Sequence, residues 1–127
     1  MARPILIIED DPDIADVLRY SFEREKFETR VAGDGTEGLS VSLDRDNPPA
    51  LILLDLLLPG MNGIEICRRL RHEPSTATIP IVMITAKVSQ LDRARAIAAG
   101  VNDYITKPFS LPNLIDRVAA LLRDDPV

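Results

Sequence analysis

Five short apolar runs, each ending in polar residues and each followed by a helix-patterned stretch, constrain the fold of this chain most strongly. Ile5-Leu6-Ile7-Ile8 and Leu51-Ile52-Leu53-Leu54 are unbroken aliphatic runs. A strand with one wet face alternates apolar and polar residues, whereas an unbroken run belongs to a strand covered on both faces, as in parallel sheets. Phe27 to Ala32 is a more polar run, expected nearer an edge. Ala50 to Asp55, after the Asn47-Pro48-Pro49 break, reads as the central strand; Ile79 to Thr85 and Asp103 to Thr106 complete the set.

Helical patterns fill the intervals. Asp11-Pro12 offers an N-cap followed by Pro at the first helical position. Ile14, Val17, Leu18, Ser21 and Phe22 then predict one buried stripe. Thr36 to Asp44 is the weakest helical pattern, because Gly35 and Gly38 lower its propensity. The turn-rich Pro59-Gly60-Met61-Asn62-Gly63 leads into a helix burying Ile64, Cys67 and Leu70, which ends near His72-Glu73-Pro74. His72, with Arg68, Arg69 and Arg71, is expected on a solvated face. Gln90 to Ala99 is closed by Gly100, with Leu91, Ala94, Ile97 and Ala98 as a thin stripe and Arg93 and Arg95 outward. Ser110 caps a last helix carrying Leu111, Leu114, Ile115, Val118, Leu121 and Leu122. Five such repeats imply a parallel sheet with helices on both faces, and right-handed crossovers leave few topologies. Strand order 2-1-3-4-5 centres the most apolar strand and places a switch point between strands 1 and 3.

With 127 residues the chain is expected to form a single domain over 1–127. Its net charge of −5 argues against direct nucleic-acid binding, which needs a basic patch. No apolar run reaches the roughly 18 residues of a membrane span. The start, Met1-Ala2-Arg3-Pro4, runs straight into a strand and does not read as a signal peptide. Cys67 is the only cysteine, which points to a cytoplasmic location.

In an open parallel sheet the strand carboxyl ends share one edge, where ligands bind. Glu9-Asp10-Asp11, Asp55, Thr85 and Lys107 all stand at such ends. Asp11, ahead of Pro12, reads as the helix cap. The other carboxylates form an all-oxygen set suited to Mg²⁺ or Mn²⁺; with no His or Cys among them, zinc is not expected. A bound cation would bridge carboxylate and phosphoryl oxygens, with Lys107 as a point charge and the Thr85 hydroxyl as a donor. Asp55 is the candidate nucleophile, since an aspartate can form a mixed anhydride with phosphate. The single histidine, His72, lies far from these ends, so a Ser/His/Asp triad is excluded, and no glycine-rich nucleotide loop is present. These residues suit acceptance of a phosphoryl group without binding of ATP.

Glu9-Asp10, Leu54-Asp55 with Leu58-Pro59-Gly60, Thr85-Ala86 and Lys107-Pro108-Phe109 together resemble the signature of bacterial response-regulator receiver domains, in order and over almost the whole chain. The resemblance implies a flavodoxin-like (βα)5 three-layer sandwich in a two-component system. A sensor histidine kinase or phosphotransfer protein would phosphorylate Asp55 with Mg²⁺, the domain catalysing only its own phosphorylation and dephosphorylation. Asp10 and Asp55 would bind the metal directly, Glu9 through water, and Leu57 through its backbone carbonyl. Thr85 and Tyr104 match the family's switch pair, and the Lys107–Pro108 bond is expected cis. The fourth helix, fifth strand and fifth helix would face a downstream effector domain or target protein. Arg93, Asp103 and Arg117 match part of a phosphorylation-dependent homodimer pattern. Asn113 replaces an acidic residue of that pattern, so one pair with Arg93 is missing. Leu57 and Lys87 lie two residues past Asp55 and Thr85, near the path of an attacking water.

Three other readings stand beside this one. A Mg²⁺-dependent phosphatase using an aspartyl-phosphate would need a second acid where Leu57 stands. A flavin carrier would need a Ser/Thr/Gly-rich loop after the first strand, where this chain has three acids. A receiver-like interaction module that is never phosphorylated would keep the same residues.

Overall fold

The computed structural model describes residues 3–86 and 89–123. It contains β1 (Ile5–Ile8), α1 (Pro12–Arg24), β2 (Thr29–Ala32), α2 (Gly35–Ser42), β3 (Leu51–Asp55), α3 (Gly63–His72), β4 (Ile81–Thr85), α4 (Gln90–Ala99), β5 (Asp103–Thr106) and α5 (Leu111–Arg123). The sheet is parallel with order β2-β1-β3-β4-β5, as the alternation requires. Every residue of β1, β3 and β4 is buried, which is why those runs lack polar alternation. Two cores result. Leu6, Ile8, Ile52, Leu54 and Met83 face α2, α3 and α4 through Ile66, Leu70 and Ala96. Ile5, Ile7, Leu53 and Val82 face α1 and α5 through Leu18, Phe22, Leu114 and Val118. Each such aliphatic side chain contributes about 1.5–3 kcal/mol on burial.

The expected helix starts hold. Asp11 caps α1, its Oδ1 accepting from the Asp13 and Ile14 N–H groups at 2.9 and 3.4 Å. Gly100 closes α4 with φ at 110°, a conformation that disfavours side chains. α2 occupies Gly35–Ser42 rather than running to Asp44. Its glycines are packing residues: a Cβ at Gly38 would lie 2.6–2.8 Å from Ile8 side-chain carbons, so the helix can press onto the sheet only with hydrogen there.

Three packing expectations need correction. In α1 the sheet-facing residues are Ala15, Leu18 and Phe22, while Val17 is 49% exposed. In α4 the inward residues are Ala96 and Ala99, and the whole stripe of Leu91, Ala94, Ile97 and Ala98 faces solvent. Ala96 and Ala99 join the core on that side of the sheet. Third, Arg71 is not solvated like His72. Its guanidinium donates to the carbonyls of Gly100, Ile79 and Ala77 and to Asn102 Oδ1, tying the end of α3 to the α4–β5 turn. Cys67 is buried as expected, its thiol 3.3 Å from the Ala99 carbonyl, and burial pushes its pKa up.

Candidate functional site

The β1–β3 register pairs Ile8 with Leu54, so the next residues, Glu9 and Asp55, leave the sheet side by side. Glu9, Asp10 and Asp55 present carboxylate oxygens that all lie within 4.8 Å of one another. Glu9 and Asp55 are buried and Asp10 is exposed, so the group is open to solvent on one side. Lys107, from the end of β5, reaches across the sheet edge. Its Nζ donates to Glu9 Oε1 and to Asp55 Oδ2, both at 2.8 Å. The other Asp55 oxygen, Oδ1, accepts from the Leu57 N–H at 3.0 Å, and the Asp11 N–H donates to Glu9 Oε2 at 3.3 Å.

One ammonium among three carboxylates leaves an excess of negative charge. Burial pushes the Glu9 carboxyl above the ordinary glutamate value. The Lys107 bond and the Asp11 N–H pull it back, and the Asp55 charge adds to the rise. At Lys107 burial disfavours the charged form, but the hydrogen bonds to Asp55 and Glu9 outweigh it and the ammonium pKa is raised. Three convergent carboxylates with no nitrogen or sulfur donor fit a hard divalent cation. The donor set therefore passes the chemical test for Mg²⁺ or Mn²⁺.

Thr85 ends β4 fully buried, and its carbonyl accepts from the Lys107 N–H at 2.8 Å. Tyr104 sits one strand over, opposite Met83, and is buried with the Arg93 guanidinium 5.8 Å from its ring centre. Burial, then the Asp92 charge, raises the phenol pKa. The Lys107–Pro108 bond is cis. Leu57 is half exposed beside Asp55. Lys87 lies outside the described residues. Gly63 packs α3 against the acceptor strand, for a Cβ there would fall 2.9 Å from Leu56 Cα and closer still to the Asp55 carbonyl oxygen.

The residue pattern did not reveal an apolar groove of about 540 Å³ adjoining Lys107, lined by Ile14, Val17, Pro108, Phe109 and Leu111. Its sequence signal was Val17, an aliphatic residue one helical step off the packed face.

Comparison with known proteins agrees with this geometry. The family model described as the response regulator receiver domain matches residues 5–119. The phosphate regulon transcriptional regulatory protein PhoB of Rhizobium meliloti is 44% identical over 125 residues, covering 97% of this chain and 53% of that protein. The DNA-binding response regulator MtrA of Mycolicibacterium smegmatis is 44% identical over 123 residues, covering 97% of this chain and 52% of that one. The chain thus spans about half the length of the curated relatives it matches. Among solved structures, the receiver domain of Francisella response regulator 1452 superimposes with a TM-score of 0.88 at 31% identity, covering 98% of this chain and 99% of that one. The BeF3-activated N-terminal receiver domain of Klebsiella pneumoniae RstA gives 0.86 at 29% identity, covering 96% and 100%.

Proposed function

The chain belongs to the response regulator receiver domain family, and from that premise we propose that its Asp55 carboxylate is the phosphoacceptor of a two-component relay. A receiver is a signalling domain rather than a classical enzyme; the catalysis proposed is that of its own phosphorylation and dephosphorylation. The observation that carries the reading is Lys107 Nζ held at 2.8 Å from both Glu9 and Asp55 within a three-carboxylate group.

An Asp55 oxygen attacks the phosphorus of a phosphohistidine. The O–P bond forms as the N–P bond breaks, and the departing imidazole keeps the bonding pair and takes up a proton. Asp10 and Asp55, with Glu9 through water and the Leu57 carbonyl, would hold Mg²⁺ or Mn²⁺, which supplies positive charge against the transferring phosphoryl oxygens. Lys107, already on Asp55, follows the negative charge onto the phosphoryl group. The Thr85 hydroxyl then donates to a phosphoryl oxygen, and Tyr104 responds to the changed space as the other member of the switch pair. The phosphatase alternative loses support because Leu57 holds the place of its second acid.

The donor must approach the rim that carries Lys107. The apolar groove of Val17, Pro108, Phe109 and Leu111 offers a seat there for a helical surface of a sensor histidine kinase or phosphotransfer protein. We read residues 1–127 as one receiver unit whose α4, β5 and α5 face communicates with an effector domain or target protein. A phosphorylation-dependent homodimer on that face would draw on Arg93, Asp103 and Arg117. Arg117 already bridges Asp103 at 2.9 Å within the chain, and Asn113 offers Arg93 no carboxylate. No helix of the described residues is long and apolar enough to cross a membrane; we place the relay in the cytoplasm, where the Cys67 thiol stays reduced.

Incubation with acetyl phosphate followed by intact-mass measurement tests the proposal. Wild type gains one phosphoryl group with Mg²⁺ and none without it. An unchanged mass in both tubes would favour the interaction module that is never phosphorylated.

A further inference from the structure

α4 carries two different apolar faces. Ala96 and Ala99 point inward, while Leu91 (58% exposed) and Ile97 (55%) join Ala94 and Ala98 in a stripe that nothing among the described residues covers. Burying such a stripe against a partner is the usual role of an exposed apolar helix face. The charges beside it identify the partner. At 100° per residue, Arg95 projects from the side of α4 that carries Leu91 and Ala98. With Asn62, the N-cap of α3, and Ile64, Glu65 and Arg68 of that helix it lines a cleft of about 430 Å³. Glu65 is the cleft's one carboxylate, and it is shared between Arg69 at 3.4 Å and Arg68 at 4.0 Å. Arg95 makes no ion pair or hydrogen bond among the described residues. In a chain of net charge −5 this is a local positive excess on the side of α4 that carries Leu91 and Ala98.

We propose that the α3–α4 face, comprising Leu91, Ala94, Ala98, Arg95 and Arg68, is a docking surface for an acidic amphipathic segment of a partner protein. Its aliphatic face lies along the α4 stripe and its carboxylates enter the cleft between the two arginines. A second copy of this chain is the poorer occupant, because pairing two such faces sets arginine against arginine. The surface lies on the far side of α4 from Arg93 and Tyr104, so its occupancy does not require the phosphorylation proposed for Asp55.

The test is titration of the isotopically labelled protein with a synthetic helical peptide bearing leucines on one face and flanking glutamates. A second peptide carries lysine in place of each glutamate. Amide shift changes confined to α3 and α4 are expected with the acidic peptide. Arg95→Glu and Arg68→Glu, both at exposed positions, should each raise Kd about tenfold, and Leu91→Ser should do likewise. Equal binding of the lysine peptide, shifts elsewhere on the domain, or no binding at about 1 mM peptide would overturn the proposal. Sedimentation velocity showing self-association that Leu91→Ser abolishes would also overturn it, assigning the face to a second copy.

Discussion

Replacing Asp10 with Asn removes one charge from the carboxylate group while keeping the shape of the side chain. The carboxylate oxygens lie within 4.8 Å of one another. At that separation each like-charge pair costs about 3.5 kcal/mol at an effective dielectric of about 20, and about 0.9 kcal/mol in water. Asp10 is exposed, so its two repulsions, with Glu9 and Asp55, lie toward the lower figure and sum to about 2 kcal/mol. Lost attraction to Lys107 takes back part of this, leaving about 1 kcal/mol of net stabilisation for Asp10→Asn in metal-free buffer. For a domain of this size that is a rise in Tm of about 4 °C, measurable by calorimetry. With Mg²⁺ at a hundredfold over Kd, wild type should gain about 2.7 kcal/mol by linkage. The variant should gain much less, so the order of stability narrows or reverses. A metal-free Tm that is unchanged or lower in Asp10→Asn, or an equal Mg²⁺ effect in both proteins, would refute the reasoning.

Three further outcomes follow from the same geometry. Gly63→Ala forces a methyl against backbone atoms of Asp55 and Leu56 that cannot yield; a loss of about 1–3 kcal/mol in urea unfolding is expected, with weakened phosphorylation because the acceptor strand end shifts. Leu57→Asn puts a polar group beside Asp55 and should shorten the phosphorylated lifetime in a decay assay; an unchanged lifetime would show that Leu57 does not limit access of water. The pH dependence has two arms. Glu9 is raised, so the folded metal-free protein holds that proton more tightly than the unfolded chain. Its stability therefore gains as pH falls through the folded Glu9 value, while Mg²⁺ affinity, which needs the carboxylate, declines over the same window. Lys107 is also raised, and its contribution is fully present below the ordinary lysine value and lost as pH rises through the folded one. Unfolding curves and Mg²⁺ titrations across both windows check the two signs.

The parallel sheet was legible because burial on both faces erases polar alternation in β1, β3 and β4. The convergence of Glu9, Asp10, Asp55 and Lys107 followed from their places at strand ends once the strand order was known. Side-chain direction was harder to read. α4 holds alanine at four positions and aliphatics at two more, so its apolar period fits either face, and the face that packs is that of Ala96 and Ala99. Val17 misled for a related reason, since the groove beside Lys107 keeps an aliphatic residue where no core requires it. Arg71 reads in the sequence as a solvated charge, yet a guanidinium's fork of donors can satisfy several carbonyls while its stem packs. The pair of hydrogen bonds that Lys107 donates to Glu9 and Asp55 depends on the reach of one side chain across the sheet edge, which no local pattern encodes.

The most direct test asks which atom carries the phosphoryl group. Borohydride reduction of the acetyl-phosphate-treated protein converts an acyl-phosphorylated aspartate to homoserine, which peptide mapping then locates. Phosphorylation of Asp55 predicts homoserine at position 55 alone, only in samples given Mg²⁺, and none at that position in Asp55→Asn. Homoserine at position 10 with position 55 unmodified would contradict it.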